Sequence, residues 1–287
     1  MPRRHLIILL GPTAVGKTER SISLARKYSS PIISCDSRQL YREMTIGTAV
    51  PSAEILSQVQ HYFIQDHSID SLYTAGKYEL EAVCLLEKLF DEGHDTLIMT
   101  GGSGFYIDAV CKGLDDFPPA DESLRAQLSA CLKEGGLEEL QRQLRELDPA
   151  SYEAIDINNG QRVVRALEVC LMTGRSFSSF KTSPQKKRSF TIEKIGLSRP
   201  RDVLYKRIDL RAEQMIRDGL EDEVRSLLPK RSCSALQTVG YREMFPYLDG
   251  EYDLERALEL IRRNTRRYAK RQMSWWRRDS EIKWEEL

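Results

Sequence analysis

Net charge is what this 287-residue chain lacks: 43 lysines and arginines are cancelled by 43 aspartates and glutamates. Bulk charge therefore selects no polyanionic partner, and any affinity for nucleic acid has to come from local clustering. Cysteine is scattered. Cys35, Cys84, Cys111, Cys131, Cys170 and Cys233 form no CxxC pair, which excludes the usual zinc-cluster spacing and a disulfide framework and leaves reduced thiols. The four histidines, His5, His61, His67 and His94, lack H-x-x-x-H spacing and do not read as metal ligands. No apolar stretch approaches the ~20 residues that a membrane span needs. Met1-Pro2-Arg3-Arg4 is followed by too short an apolar run for a secretory signal. Internal repeats and low-complexity segments are also absent. These absences lead us to expect a soluble, cytoplasmic chain, taken as a monomer. The length exceeds the roughly 100–200 residues of a typical domain, so one enlarged domain or a core with an insertion is expected.

What is present begins at residue 11. After the apolar run Leu6-Ile7-Ile8-Leu9-Leu10 comes Gly11-Pro12-Thr13-Ala14-Val15-Gly16-Lys17-Thr18, a complete G-x-x-x-x-G-K-[ST] phosphate-binding loop between a strand and an amphipathic helix. Its glycines let successive N–H groups turn inward toward phosphate oxygens at a helix N-terminus. Lys17 adds a mobile positive charge, and the Thr18 hydroxyl is placed to ligate Mg²⁺. A bare Gly-rich turn is the bland alternative, disfavoured by the Lys-Thr register and the flanks.

Residues 1–113 read as repeated strand-then-helix units: strands at Leu6–Leu10, Pro31–Asp36, His61–Ile64 and Thr96–Thr100, with helices to about Lys27 and from about Thr74 to Glu92. Alternation of this kind predicts an α/β fold, a P-loop-type parallel sheet with helices on both faces and ligands at the C-terminal strand ends. The phosphate loop, Asp36 and Ser103 all follow strand ends, so one cleft can hold all three. From 114 to 189 the apolar spacing turns helical, broken at Pro149, Asn158-Asn159-Gly160 and Gly174, and predicts a helical insertion with a polar, basic exit at Lys181–Arg188. The core resumes over 190–287, with a strand at Ile192–Leu197. Helices follow at about Arg201–Arg217, Leu220–Leu228, Ser234–Thr238 and Asp253–Arg278.

In the last helix, at about 100° per residue, Arg262, Arg263, Arg266, Arg267, Lys270, Arg271, Arg277 and Arg278 all fall on one half of the wheel. Leu254, Ala257, Leu258, Ile261, Tyr268, Trp275 and Trp276 fall on the other, with Leu260 and Met273 as exceptions. No acid lies between Arg262 and Arg278. Solvated faces normally mix signs, so this stripe reads better as a contact for a phosphate backbone. Asp36 admits three readings: an outer Mg²⁺ ligand, a general base, or a cap for the segment that follows. Arg201, Arg207 and Arg211 suggest a phosphate clamp. Pairing of Arg207 and Arg211 with Asp209 or Glu213 is equally compatible with the spacing.

Taken together, the stretches GPTAVGKT, DSRQLYREMTIGTAVP, GGSGFY, QRVVRALEV, LYKRIDLR, QTVGYRE and NTRRYAKRQMSWWRR resemble those of the tRNA dimethylallyltransferases, or tRNA isopentenyltransferases, in family order over nearly the whole chain. That resemblance implies transfer of the dimethylallyl group of dimethylallyl diphosphate to N6 of an adenosine beside the anticodon, with release of diphosphate. It implies Asp36 as general base, Lys17 and the loop amides on the diphosphate, Thr18 on Mg²⁺ and diphosphate, and Arg211 on the leaving group. Ser103 stands where the family usually has Thr and keeps the hydroxyl. The implied tRNA contacts are Asp36, Ser37, Arg38 and Gln39; Ser103; Gln161, Arg162, Val163, Val164 and Arg165; and Gln237, Thr238, Val239, Gly240, Tyr241 and Arg242. They continue through Lys270, Arg271, Gln272, Met273, Ser274, Trp275, Trp276 and Arg277, with Arg125 added from the insertion.

Two stretches depart from the family pattern. His61-Tyr62-Phe63-Ile64-Gln65-Asp66 replaces a usual His-His-Leu-Ile-Asp, and Asn159-Gly160 replaces a common Asp-Pro. The Asp-rich diphosphate motifs of isoprenoid synthases are absent, and the phosphate loop would take their place. Competing readings are an adenine-nucleotide isopentenyltransferase, which needs no basic stripe, and a P-loop small-molecule kinase. A nucleotide-dependent RNA-binding module is a weaker one, leaving Asp36 and Ser103 idle.

Overall fold

The computed structural model describes residues 4–71, 73–182 and 185–287. Two compact units emerge, residues 1–111 with 187–287, and residues 112–186; the sequence places these breaks at 113/114 and 189/190. Met1-Pro2-Arg3, the start of the segment read for a signal, and Ser183-Pro184 in the basic exit lie outside the described residues.

The larger unit is built on β1 (His5–Leu10), β2 (Ile32–Ser34), β3 (His61–Tyr62), β4 (Thr96–Gly101), β5 (Thr191–Ser198) and β6 (Lys283–Glu286), with α1 (Lys17–Tyr28), α2 (Ala53–Leu56) and α3 (Ala75–Asp91) among the first four strands and α4 (Gly104–Lys112) after β4. After β5 come α9 (Arg201–Arg217), α10 (Leu220–Ser226), α11 (Tyr241–Leu248) and α12 (Leu254–Trp276). All strand pairs are parallel, in the order β3-β2-β4-β1-β5-β6. β1 reads as an unbroken apolar run because both its faces are covered. Leu6, Ile8 and Leu10 join one buried cluster with residues of α3, α4 and α11, while Ile7 and Leu9 join another with α1 and α9. The C-terminal ends of β2, β4, β1 and β5 thus stand side by side, where ligands gather in such sheets.

Local differences from the expected elements have local causes. The third strand stops at Tyr62 because Phe63 and Gln65 take positive φ angles of 61° and 52°, which break an extended ladder. Phe63 is instead buried, edge-on to Tyr78. α11 goes unpredicted because Pro246 lies inside it and reads as a breaker. β6 is missed because its four residues, Lys283-Trp284-Glu285-Glu286, are an exposed edge with little apolar patterning. Lys194, buried on β5, reaches Asp279 and Glu281 just ahead of it at 2.7 and 3.0 Å.

The smaller unit contains α5 (Glu122–Lys133), α6 (Leu137–Leu147), α7 (Pro149–Ala154) and α8 (Gly160–Thr173). Leu128, Leu140, Leu144, Val163, Val164 and Leu167 form its core. Glu168 sits in α8 with a fully buried carboxylate, and such a group needs partners. Arg125 reaches it through Nη2 at 2.6 Å and Arg165 through Nη1 at 3.0 Å, and the Asp121 amide donates at 3.0 Å. Arg165 also donates to the Pro118 carbonyl. Arg125 and Arg165, which the resemblance implies as RNA contacts, thus place their guanidinium groups on a carboxylate inside the unit, with 28% and 29% of their side chains still exposed. Val163 and Val164 are likewise core residues with no side-chain surface to offer.

Candidate active site

The phosphate loop curls between β1 and α1. Gly11 lies so close to β5 that a Cβ there would stand 2.8 Å from the Leu197 carbonyl oxygen. Gly16, at φ 116°, turns the chain into the first residue of α1 in a region that favours glycine. The loop is held by three arginines. Arg199 Nε donates to the Val15 carbonyl at 2.7 Å, Arg207 Nε to Ala14 at 2.8 Å, and Arg211 Nη1 to the Thr13 hydroxyl at 3.2 Å. Arg207 and Arg211 come from one face of α9, so their spacing serves the loop. Arg201 stays apart, its guanidinium over the ring of Tyr205.

Lys17 Nζ donates back to the carbonyls of Gly11 and Pro12 at 2.7 and 3.0 Å. Burial pushes the Lys17 ammonium down to about 8; Asp36 pulls it upward, and Arg211 pushes it further down. The charged form attracts an anion, so affinity for inorganic diphosphate should weaken as pH rises through about 8 and Lys17 turns neutral. Calorimetric titrations of the native protein and of Lys17→Arg across that range isolate the effect. Parallel profiles for the two would contradict it.

Asp36 follows β2, with β4 between it and the loop. Its Oδ1 accepts from the amides of Arg38 at 2.9 Å and Gln39 at 3.3 Å, so the cap reading describes one oxygen. Oδ2 takes no hydrogen bond from any described residue, and Asp36 lines a cavity of about 490 Å³ with Thr13, Lys17, Thr18, Arg211 and Tyr268. The two oxygens thus have separate tasks, one fixing the carboxylate and the other open. Ser103 acts behind it: its hydroxyl accepts from the Ser37 amide at 2.9 Å and donates to the Ser37 hydroxyl at 3.0 Å. Its place is to hold the Asp36 turn against the end of β4.

Gly47, Thr48, Ala49 and Pro51 form another wall of the cavity. Gln39 Nε2 donates to the carbonyls of Thr48 and Ala49 at 3.1 and 2.9 Å, and Arg211 Nη2 reaches Thr48 at 3.5 Å. From outside, the Glu223 carboxylate takes the amides of Thr45, Ile46 and Gly47 at 3.0, 2.7 and 2.9 Å and the Tyr241 hydroxyl at 2.6 Å. Sequence reasoning missed Glu223, because nothing in α10 announces three amides contributed by a distant loop. Tyr241, expected at an RNA surface, is fully buried and spends its hydroxyl here.

The basic stripe of α12 divides. Arg262 is paired with Glu213, and Arg266 with Asp209, both acids from α9. Arg263, Arg267, Lys270, Arg271, Arg277 and Arg278 are exposed. Trp276 and Gln272 are buried, so their side chains offer little surface, and Met273 is half-buried. Trp275, expected on the packed side of the wheel, is 39% exposed, and its indole N–H donates to Asp108 at 2.9 Å. Gln161, Arg162, Gln237, Arg242 and Ser274 are exposed, while Ser37, Arg38, Thr238 and Val239 are half-buried. No helix among the described residues is long and apolar enough to cross a membrane.

The IPP transferase family model matches residues 39–279. tRNA dimethylallyltransferase 1 of Bacteroides thetaiotaomicron is 49% identical over 279 residues, covering 97% of this chain and 90% of that protein. tRNA dimethylallyltransferase 1 of Bacteroides fragilis is 47% identical over 284 residues, covering 99% and 94%. Among solved structures, the full-length tRNA isopentenylpyrophosphate transferase of Bacillus halodurans is 36% identical with a TM-score of 0.72, covering 99% of this chain and 90% of that one. A eukaryotic dimethylallyltransferase shares the fold with a TM-score of 0.79 at 23% identity. A phosphate loop, an open carboxylate and a buried arginine on one cavity, in a chain matched along nearly its full length, place this protein in the IPP transferase family of tRNA dimethylallyltransferases.

Proposed function

We propose that the chain transfers the dimethylallyl group from dimethylallyl diphosphate to N6 of an adenosine next to the anticodon of tRNA, acting as a cytoplasmic monomer. The supporting observation is that the loop amides, Lys17, Arg211 and the open Asp36 oxygen share one cavity. The N6 lone pair attacks C1 of the donor, the C1–O bond breaks, and its electrons leave with diphosphate. Adenine N6 is a weak nucleophile because its lone pair is delocalised into the ring. Asp36 Oδ2 accepts the N6 proton, which general-base catalysis requires within hydrogen-bond reach. Positive charge developing on the allylic carbon needs no covalent partner. Catalysis is then mostly positioning and neutralisation of the departing oxygens by Lys17, Arg211 and the loop N–H groups. The target base has to leave its stack to enter the cavity.

Mg²⁺ fits this site as a hard cation. The Thr18 hydroxyl lines the cavity and takes no hydrogen bond from a described residue, and such an ion binds through one or two protein oxygens plus substrate phosphates. When bound, it would neutralise diphosphate charge.

The tRNA backbone is met by the exposed part of α12, with the helical unit at 114–189 contributing further contacts through Gln161 and Arg162. Changing Arg267, Lys270 and Arg271 to Gln is expected to weaken tRNA binding and to reduce its salt slope by about 0.7–0.9 for each phosphate that is no longer neutralised. Arg266→Gln, already tied to Asp209, should alter the slope less. An unchanged slope in the triple variant would return the stripe to an ordinary solvated face. The transfer itself is tested by incubating the protein with donor labelled in its prenyl carbon and either tRNA or AMP. Label in tRNA supports the reading. Label in AMP alone would favour an adenine-nucleotide enzyme.

A further inference from the structure

α12 carries exposed cations at Lys270 and Arg271 and exposed residues at Ser274 and Trp275, yet Gln272 between them points inward and is only 6% exposed. A buried amide costs free energy unless its polar atoms are paired. Gln272 Oε1 accepts from the Thr13 amide of the phosphate loop at 2.9 Å, and Nε2 donates to the Gly102 carbonyl after β4 at 2.8 Å. The two partners fix the amide's orientation, since a backbone N–H demands an acceptor and a carbonyl a donor. The fit is close: a Cβ on Gly102 would lie 2.4 Å from Nε2 and 3.8 Å from Asp36 Oδ2. One side chain thereby ties the loop after β1 to the turn after β4, across the two strand ends that frame the donor cavity.

We propose that Gln272 is a positioning residue for the diphosphate of the donor, fixing the phosphate loop at Thr13 against Gly102, and that it makes no RNA contact of its own. The proposal rests on the transfer reading above. The Thr13 N–H is spent on Gln272, so the bridge anchors the loop backbone at Thr13 and thereby sets the direction of the free N–H groups that follow it and face phosphate in such loops. Without the amide bridge the loop retains its three arginine contacts but loses its only side-chain tie to the β4 turn among the described residues. Diphosphate would then meet a loop that must first be ordered, which weakens binding of the donor without touching the exposed cations.

Gln272→Met keeps the length and removes both hydrogen bonds. Gln272→Glu keeps the acceptor for Thr13 and removes the donor to Gly102. Gly102→Ala evicts the amide from the other side. All three should raise the KM for dimethylallyl diphosphate about tenfold, as loss of buried hydrogen bonds to a binding loop implies. Affinity for tRNA and its salt slope should stay within about twofold. Calorimetric binding of inorganic diphosphate should weaken in parallel; it needs no turnover, so it can fail while the transfer reading stands. Failure of the native enzyme to prenylate tRNA would instead sink the reading itself. The proposal is overturned if the variants lose tRNA affinity with native diphosphate binding, or lose thermal stability alone with native KM and native diphosphate binding.

Discussion

Asp36→Ala is expected to cut prenyl transfer by about 10²–10⁴-fold, the range that general acid–base groups contribute, while tRNA affinity changes by no more than a few fold. The alanine also deprives the Arg38 and Gln39 amides of their acceptor, so loss of activity in this variant alone would not separate base from cap. Asp36→Asn separates them, because an amide oxygen can still cap the turn while the group can no longer take a proton from N6. Single-turnover transfer with saturating donor and tRNA reads the chemical step in both. Both variants are expected to fall into the same low range. Near-native turnover in Asp36→Asn would reduce Asp36 to a cap and remove it as the base.

The second large effect concerns the leaving group. Arg211 is drawn into the cavity from α9, with Nη1 on Thr13 and Nη2 near the Thr48 carbonyl, and burial lowers its proton affinity while Asp36 raises it. A guanidinium held in a water-poor cavity beside departing oxygens is worth far more than one in water. Arg211→Gln removes the charge while retaining some hydrogen-bonding capacity. Its expected cost is about 10²–10³ in kcat, comparable to removal of one preorganised oxyanion donor. Lys17→Met should cost a similar factor and also raise the KM for the donor, since the role proposed for Lys17 is to bear on the bound phosphates in the ground state as well. Arg201→Gln is the control: its guanidinium lies over Tyr205, and activity should stay within about twofold because a surface change away from any such feature shifts energies little. Equal losses in Arg201→Gln and Arg211→Gln would contradict a specific role for Arg211.

Asp36 and Lys17 were legible because each sits within a few positions of a recognisable strand end, whereas Arg211, in the middle of α9, was singled out from Arg201 and Arg207 only by the resemblance. The phosphate loop states its own geometry, and the strands before Asp36 and Ser103 read as apolar runs. What the sequence hid depends on partners far away in the chain. Arg262 and Arg266 look unbalanced on their own helix, yet Glu213 and Asp209 on α9 meet them in space. Arg125 looks like a surface cation until Glu168, buried in the helix opposite, claims it. Glu223 carries no sign that three amides of the 45–47 segment will converge on it.

Gln272 differs, because a signal was available. It falls in the middle of the apolar half of the α12 wheel, where a polar side chain has to be buried and partnered. Its place inside a stretch that resembles an RNA-contacting segment obscures that point. Half of such a helix faces the core, and Gln272 and Trp276 follow the wheel in doing so, whereas Met273, on the cationic half, is half-buried. The boundary of the third strand and the position of α11 were hidden for another reason: positive φ angles at Phe63 and Gln65 and a proline within a helix run against local propensity.

The phosphate held by Gly11–Thr18 is expected to leave with its own oxygen, so that the group transferred is carbon. Donor labelled both in the prenyl carbon and in the diphosphate phosphorus tests that directly when incubated with the protein, Mg²⁺ and tRNA. Carbon label should appear in tRNA and phosphorus label in free diphosphate, in equal amounts, with prenyl-adenosine recovered after nuclease digestion. Phosphorus label in the acceptor, or phosphorylation of a small molecule from ATP with no carbon transfer, would contradict it and make the loop that of a kinase.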